Sequence, residues 1–409
     1  MPSLSSTRHR DHVMRILIAH NRYQQPGAED QVFAAEADLL ADRGHEVIRY
    51  ELHNNSIKTT GKLKVARNTI WNPQSAESVQ RLVRHNQIEV AHFHNIFPVM
   101  SPSVYRAARD EGAAVVQTLH NFRLICPGNT LFRDNHLCSD CVGKALLWPS
   151  VLHACYRGDR QATAVSAAML AYHRARGTWS NNVDVYVALS EFNRALFCRA
   201  GFAETSIFVK PNFLKSDPGS GARERTGALF VGRLIPEKGI STLLAAWKRI
   251  GSKLPLTIFG DGPLRDEVAS AAESSDGAIR WLGWRSRSDV DEALGTASVV
   301  IAPSVWIEAG PLSVIESFAR GTPVIASHLG SLAEFVKPDV SGYLFDPGNP
   351  ASLVEAVEKF LSLPDCGSSM GETARRIFCD TYSAGPAYNN MLALYAFAIR
   401  NFEASKTRR

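Results

Sequence analysis

The chain has no run of 18 uninterrupted apolar residues, so an ordinary membrane-spanning helix is not expected. Its opening, MPSLSSTRHRDHV, has no apolar core, and no ordinary secretory signal is expected there. Short-period repeats and low-complexity tracts are also lacking, which sets aside a repeat array. Cysteine is sparse, with seven in 409 residues. Without an export signal these read as thiols or metal ligands in a reducing, cytoplasmic setting rather than as disulfides. No single sign of charge dominates, since 45 Lys and Arg face 40 Asp and Glu. That balance is too weak and too scattered to call for nucleic acid.

A hydrophobic content of 45% and a charged content of 21% describe a globular protein, and 409 residues exceed one ordinary core. Folding is expected to start at Met14, where MRILIAH reads as a strand. Residues 1–13 read as a disordered tail, with Met14 as the alternative start. Strand runs follow at 15–20, 46–51, 89–94, 113–120 and 183–190, with helix-period stretches between them. KPNFLKSDPGSGARERTG is rich in Pro, Gly and Ser and reads as a linker. The alternation restarts at 228–232, 255–260, 278–283, 298–303 and 322–327. Strand–helix alternation predicts parallel sheets covered on both faces. The expected plan is a domain over 14–212, a linker over 213–226, a second domain over 227–385, and a terminal helix and tail over 386–409. That helix is expected to return to the first domain. The first 212 residues carry the net positive charge and 12 of the 13 histidines, which fits an anionic acceptor or a membrane surface.

The stretch PSVWIEAGPLSVIESFARG places Glu308 and Glu316 around Gly310 and Pro311. Pro at the first helical position puts Glu308 in the preceding loop and Glu316 a turn inside. Free N–H groups of Leu312 and Ser313 then form an anion site, and the acids are suited to receive hydroxyls. An anion flanked by hydroxyls describes a nucleotide sugar. In GRLIPEKG, Arg233 follows Gly232 at a strand end and Lys238 precedes a helix, two cations suited to a departing diphosphate. The alternative is a polar surface loop. Gly260 and Gly262 in IFGDGPL line a nucleotide pocket or simply make a turn. Gly27 precedes a helix and is a weaker phosphate candidate, a connecting loop being the other reading.

His120 ends the strand run VVQTLHN and is positioned to meet a sugar hydroxyl, with a structural histidine as the alternative; His92 and His94 sit at the neighbouring strand end as supports. Cys126, Cys138, Cys141 and Cys155 cluster within an irregular insertion at about 121–160, and Cys138 and Cys141 have the spacing of a zinc knuckle. A structural zinc is expected there, against reduced free cysteines. GKLKVARNTIW combines Lys62, Lys64 and Arg67 with apolar residues and reads as a solvated helix face, a lipid-resting patch being the alternative.

GRLIPEKG, IFGDGPL, IRWLGW, APSVWIEAGPLSVIE and RGTPVIAS occur in the order and spacing of family-4 glycosyltransferases, and the chain resembles that family over roughly 14–402. The Gly27 loop, His120 and VDVYVALSEF extend the likeness to the first half, and the Cys-rich insertion resembles one found in a subgroup. The resemblance implies a GT-B fold, two doubly wound Rossmann-like domains facing each other across a cleft. It implies that Arg233 and Lys238 hold the donor diphosphate, that Glu316 receives the ribose hydroxyls and that Glu308 contacts the sugar. Gly27, Gly232, Gly260, Gly310, Leu312 and Ser313 would line the donor site, with His120 beside sugar and acceptor. It also implies retention of configuration without a catalytic metal. Ala309, Gly310 and Pro311 depart from the common glycine-rich loop, which bears on the choice of sugar.

The expected function is transfer of a sugar from a UDP- or GDP-linked donor to a glycan or lipid-linked acceptor, with peripheral membrane contact and no nucleic-acid partner. The alternatives are a nucleotide-sugar epimerase and a non-catalytic carbohydrate- or nucleotide-binding subunit.

Overall fold

A computed structural model describes residues 12–24 and 27–407. Residues 1–11 of the expected tail lie outside the described residues. The first sheet comprises β1 (Arg15–Arg22), β2 (Glu46–His53), β3 (Val90–Phe93), β4 (Ala114–Thr118), β7 (Val185–Ala188) and β8 (Ile207–Val209). A short antiparallel hairpin, β5 (Phe132–Arg133) and β6 (His136–Leu137), stands apart in the insertion. The second sheet comprises β9 (Ala228–Val231), β10 (Leu256–Phe259), β11 (Ile279–Trp281), β12 (Val299–Ala302), β13 (Val324–Ser327) and β14 (Gly342–Phe345). Both six-stranded sheets are parallel. Parallel strands need helical crossovers, which bury both faces of each sheet.

The strand orders differ. The first sheet runs β2-β1-β3-β4-β7-β8 and the second β11-β10-β9-β12-β13-β14. The order therefore reverses between β1 and β3 in one domain and between β9 and β12 in the other. Ligands of open parallel sheets bind outside the carboxyl ends at such a reversal.

Two of these strands escape the sequence reading. β8 is three residues long and abuts linker-like residues. β14 begins on Gly342, where an added Cβ would lie 1.7 Å from the Val324 carbonyl oxygen, so close strand approach demands the residue that weakens a strand signal.

The helix Ala384–Lys406 crosses to the first sheet and buries Met391, Leu394, Tyr395, Ala398 and Phe402 with Ile16, Val116 and Val185. Burying each such side chain contributes roughly 1.5–3 kcal/mol before chain entropy is counted. Arg109 bonds both Asp184 and Ser405, and Asn401 donates to the Asp184 carbonyl, which fixes the helix end. No helix among the described residues is long and apolar enough to cross a membrane.

Candidate active site

Lys238 ends a short turn after β9, and Glu308 lies in the loop after β12, so the two meet at the strand-order reversal. Lys238 Nζ is 2.5 Å from Glu308 Oε1, and Ser304 Oγ donates to the same oxygen at 2.6 Å. Burial pushes the Glu308 carboxyl up, but the Lys238 charge and bonds from Lys238 and Ser304 outweigh it and hold it below its ordinary range. The loops are tied by a bond from the Val305 amide to the Glu237 carbonyl. Gly239 has φ of 70°, and its Cβ would stand 1.9 Å from the Pro303 carbonyl oxygen. Only glycine permits this approach.

Arg233 is exposed, and its side chain makes no ion pair or hydrogen bond among the described residues. Its loop is buttressed from behind. The amides of Gly232 and Leu234 donate to Phe259 and Asp261, and Cβ atoms at Gly260 and Gly262 would lie 1.9 and 2.6 Å from the carbonyl oxygens of Gly232 and Leu234. Close backbone packing therefore accounts for Gly260 and Gly262.

The helix Leu312–Ala319 begins one residue later than expected, with Pro311 as its N-cap. The amides of Leu312 and Ser313 have no partner among the described residues. Glu316 sits within the helix, is buried, and pairs with Arg287, whose Nη1 also lies 3.5 Å from Gln31 of the first domain. Burial raises the Glu316 carboxyl above its ordinary value despite Arg287. Arg287 carries no periodicity or spacing signal, and the sequence reading did not find it. Gly310 turns out to be a domain contact, because its Cβ would meet Asn212 Nδ2 and Leu189 Cδ1 at 2.7 Å.

Across the cleft, His120 follows β4 and leads into a buried chain of polar groups. His120 Nε2 is 2.8 Å from His94 Nδ1, His94 Nε2 is 3.5 Å from Glu36 Oε2, and Glu36 Oε1 is 2.6 Å from Lys210 Nζ. His94 Nε2 and Glu36 Oε2 are buried and make no hydrogen bond to any other group among the described residues, although His92 Nδ1 also lies 3.6 Å from Glu36 Oε2. This assigns the protons. His94 carries hydrogen on Nε2 toward the carboxylate and accepts at Nδ1 from His120, which leaves His120 Nδ1 as an acceptor. Burial depresses the basicity of His92, His94 and His120, and all three are neutral near pH 7. Glu36, His92 and His94 also bring ligand atoms within 4.8 Å of one another, a spacing that suits a metal. The ammonium of Lys210 already supplies the positive charge there. His92 is held between Thr118 and Tyr395 and supports the chain from behind.

Gly27 does N-cap a helix, Ala28–Asp42, but its amide donates to Asp30 at 2.7 Å, and Asp30 also accepts from His20. The Gly27 amide is therefore spent within the protein. Glu29, next in the chain, accepts from Tyr23 and Asn121 at 2.9 Å. His120, Asn121 and Arg123 line one pocket. Arg123 is buried between the rings of Phe97 and Tyr156 and has no carboxylate within ion-pair distance among the described residues. The four candidate zinc ligands line a second cavity, and all are free thiols. Residues Lys62–Ile70 form a helix whose Leu63 is 89% exposed.

Residues 218–377 match the family described as Glycosyl transferases group 1. The chain is 34% identical over 138 residues to the Uncharacterized glycosyltransferase MJ1607 of Methanocaldococcus jannaschii, covering 33% of this chain and 35% of that protein. It is 30% identical over 184 residues to Glycogen synthase of Mycobacterium tuberculosis, covering 43% and 44%. The chain thus spans less than half the length of the curated relatives it matches. Among solved structures, Anabaena Alr3699/HepE in complex with UDP superposes with a TM-score of 0.65 at 15% identity, over 94% of this chain and all of that one. The same protein in complex with UDP-glucose gives 0.62. This two-domain architecture is the GT-B fold.

Proposed function

We propose that this protein is a retaining family-4 glycosyltransferase that moves a sugar from a UDP- or GDP-linked donor to a hydroxyl acceptor in polysaccharide or lipid-linked glycan synthesis. The observation that carries the reading is the meeting of Lys238 and Glu308 at the β9/β12 reversal, beside unpaired Arg233 and the bare amides of Leu312 and Ser313. Support also comes from the relatives' names and from the neighbour that binds UDP and UDP-glucose.

In this reading the bond from the anomeric carbon to the β-phosphate oxygen breaks and its electron pair stays on the diphosphate. Arg233 and Lys238 stabilise that charge, a role that a metal would otherwise fill. Lysine has three donor hydrogens, so Lys238 can hold a phosphate oxygen while keeping Glu308. The acceptor oxygen bonds to the anomeric carbon from the face that the diphosphate leaves, and its proton passes to the leaving phosphate oxygen. Glu308 and the Nδ1 acceptor of His120 receive sugar hydroxyls, and Glu316 shares its carboxylate between Arg287 and the ribose. The Arg123 cation, which has no carboxylate partner among the described residues, favours an acceptor with an anionic group such as a lipid-linked phosphate.

Lys238→Ala should lower the rate of transfer from the preferred nucleotide sugar on the order of 100-fold. A variant as fast as wild type would remove Lys238 from the site. For the cytoplasmic membrane face, sedimentation with anionic vesicles tests the Lys62–Ile70 helix. Binding that survives Leu63→Asp with Lys64→Glu would exclude that contact.

A further inference from the structure

Seven cysteines are spread over the chain, yet Cys126, Cys138, Cys141 and Cys155 line a single small cavity. They arrive from three separate stretches. Cys126 ends a turn whose amide bonds the Phe122 carbonyl. Cys138 follows the β5–β6 hairpin, with its amide on the Leu131 carbonyl, and Cys141 follows three positions later. Cys155 follows the helix Trp148–Leu152, with its amide on the Ser150 carbonyl. Gly128 lets the first stretch lie against the last, since a Cβ there would stand 2.9 Å from the Cys155 carbonyl oxygen.

Apolar burial gives this insertion little. Phe122, Leu124 and Ile125 anchor its start, but between residues 127 and 155 only Leu131, Cys141 and Leu147, with Pro127 and Pro149, are buried apolar residues, whereas Leu137, Leu146, Trp148 and Leu152 are 45–70% exposed. Its regular structure is a hairpin of two-residue strands and one five-residue helix. A segment so poor in core needs a covalent or metal staple to hold one shape.

We propose that these four cysteines bind one zinc ion as a tetrathiolate that fixes the insertion beside the His120 pocket. Four soft thiolates in a closed site suit zinc, with no open position for catalysis. Zinc-bound sulfurs stand about 3.8 Å apart, from a Zn–S bond of about 2.3 Å in a tetrahedron. No three of the four sulfurs lie within 4.8 Å of one another, so the thiols must draw inward by rotation about their single side-chain torsions. Arg133 lines the same cavity as the four cysteines. The site also positions chemistry, because Cys126 ends the stretch that carries Asn121 and Arg123 along the pocket wall.

Elemental analysis of the full chain, purified without chelator, should find about one zinc per molecule. Cys138→Ser with Cys141→Ser should abolish it, while Cys366→Ser with Cys379→Ser should leave it unchanged. If the first pair fails to fold, titration of the wild type decides. A mercurial thiol reagent should release one zinc as four of the seven thiols react. Folded protein that holds no zinc after dialysis against it would overturn the proposal. So would a mass lower by 4 Da from two disulfides, or iron in place of zinc. Metal content does not depend on the donor, so this test stands apart from that of the proposed transfer reaction.

Discussion

At the carboxyl edge of the first sheet, Glu36 and Lys210 form an ion pair with both side chains wholly buried. At the matching edge of the second, Lys238 and Glu308 form a pair that keeps 21% and 13% of their side chains exposed. The pairs look alike on paper and differ in what surrounds them. The first is sealed by His92, His94 and the terminal helix, and no substrate can reach it. The second opens on the cleft beside Arg233. A buried pair holds its neighbours in one arrangement, here the tautomers that end at His120, whereas a half-open pair can exchange partners during a reaction.

Removing one cation from each edge separates these roles. Lys210→Met leaves Glu36 as an uncompensated buried charge and should cost about 3–5 kcal/mol in chemical denaturation. Adding Glu36→Leu should restore most of that loss, because an apolar pair of similar volume is often neutral. Lys238→Met should cost less than about 1 kcal/mol, since its partner stays in reach of water. Were Lys238→Met the more destabilising, the distinction between a sealed and an open edge would be lost.

The next largest contrast is with pH. The Glu36 carboxyl is held well below its ordinary value, burial opposing and Lys210 prevailing. Its contribution is complete above the unfolded value and lost as pH falls through the folded one. His92, His94 and His120 are depressed by burial, so the unfolded chain binds protons first once pH drops below about 6.5. All four groups weaken the first domain in acid. In the second domain the depressed Glu308 loses stability in acid, but the raised Glu316 gains it, its cost appearing only as pH rises through the ordinary carboxylate range. Thermal unfolding between pH 7 and 4.5 should therefore show the first domain falling earlier. Equal slopes for both domains would contradict the assignment of neutral buried histidines.

These edges were unequally legible in the sequence. The open one announced itself, because Arg233, Lys238 and Glu308 stand in loops whose glycines and proline mark strand ends, with Glu316 in the helix that follows. Its glycines were less readable. Gly260 and Gly310 answer to backbone and domain contacts, which only the folded chain displays. The sealed edge was nearly invisible, since Lys210 belongs to a stretch with linker composition. Glu36 did leave a sign. It lies on the same helical stripe as Val32, Phe33, Leu39 and Leu40, all buried, and an acid on an apolar stripe calls for a buried partner. Arg287 left none, because its meaning comes from a helix and a domain distant in the chain.

The smallest effect tests how firmly the two halves are joined. Glu334, in the second domain, accepts from the amides of Glu191 and Phe192 at 3.0 and 2.9 Å, while Ser190 Oγ accepts from Asn193 at 3.1 Å. One domain's carboxylate thus completes the N-terminal cap of the other's helix Glu191–Arg199. Ser190 also meets Ser331 Oγ at 3.0 Å, and Asn193 donates to the Ala309 carbonyl beside Glu308. Losing a cap costs about 1 kcal/mol, so Glu334→Ala should lower the first domain's midpoint slightly. Because the same contacts anchor the Glu308 loop, the donor KM should rise while Lys238→Ala remains the far larger lesion in kcat. If Glu334→Ala instead left the midpoint of the first domain unmoved, the cap would be dispensable and the two domains would be joined chiefly by the terminal helix.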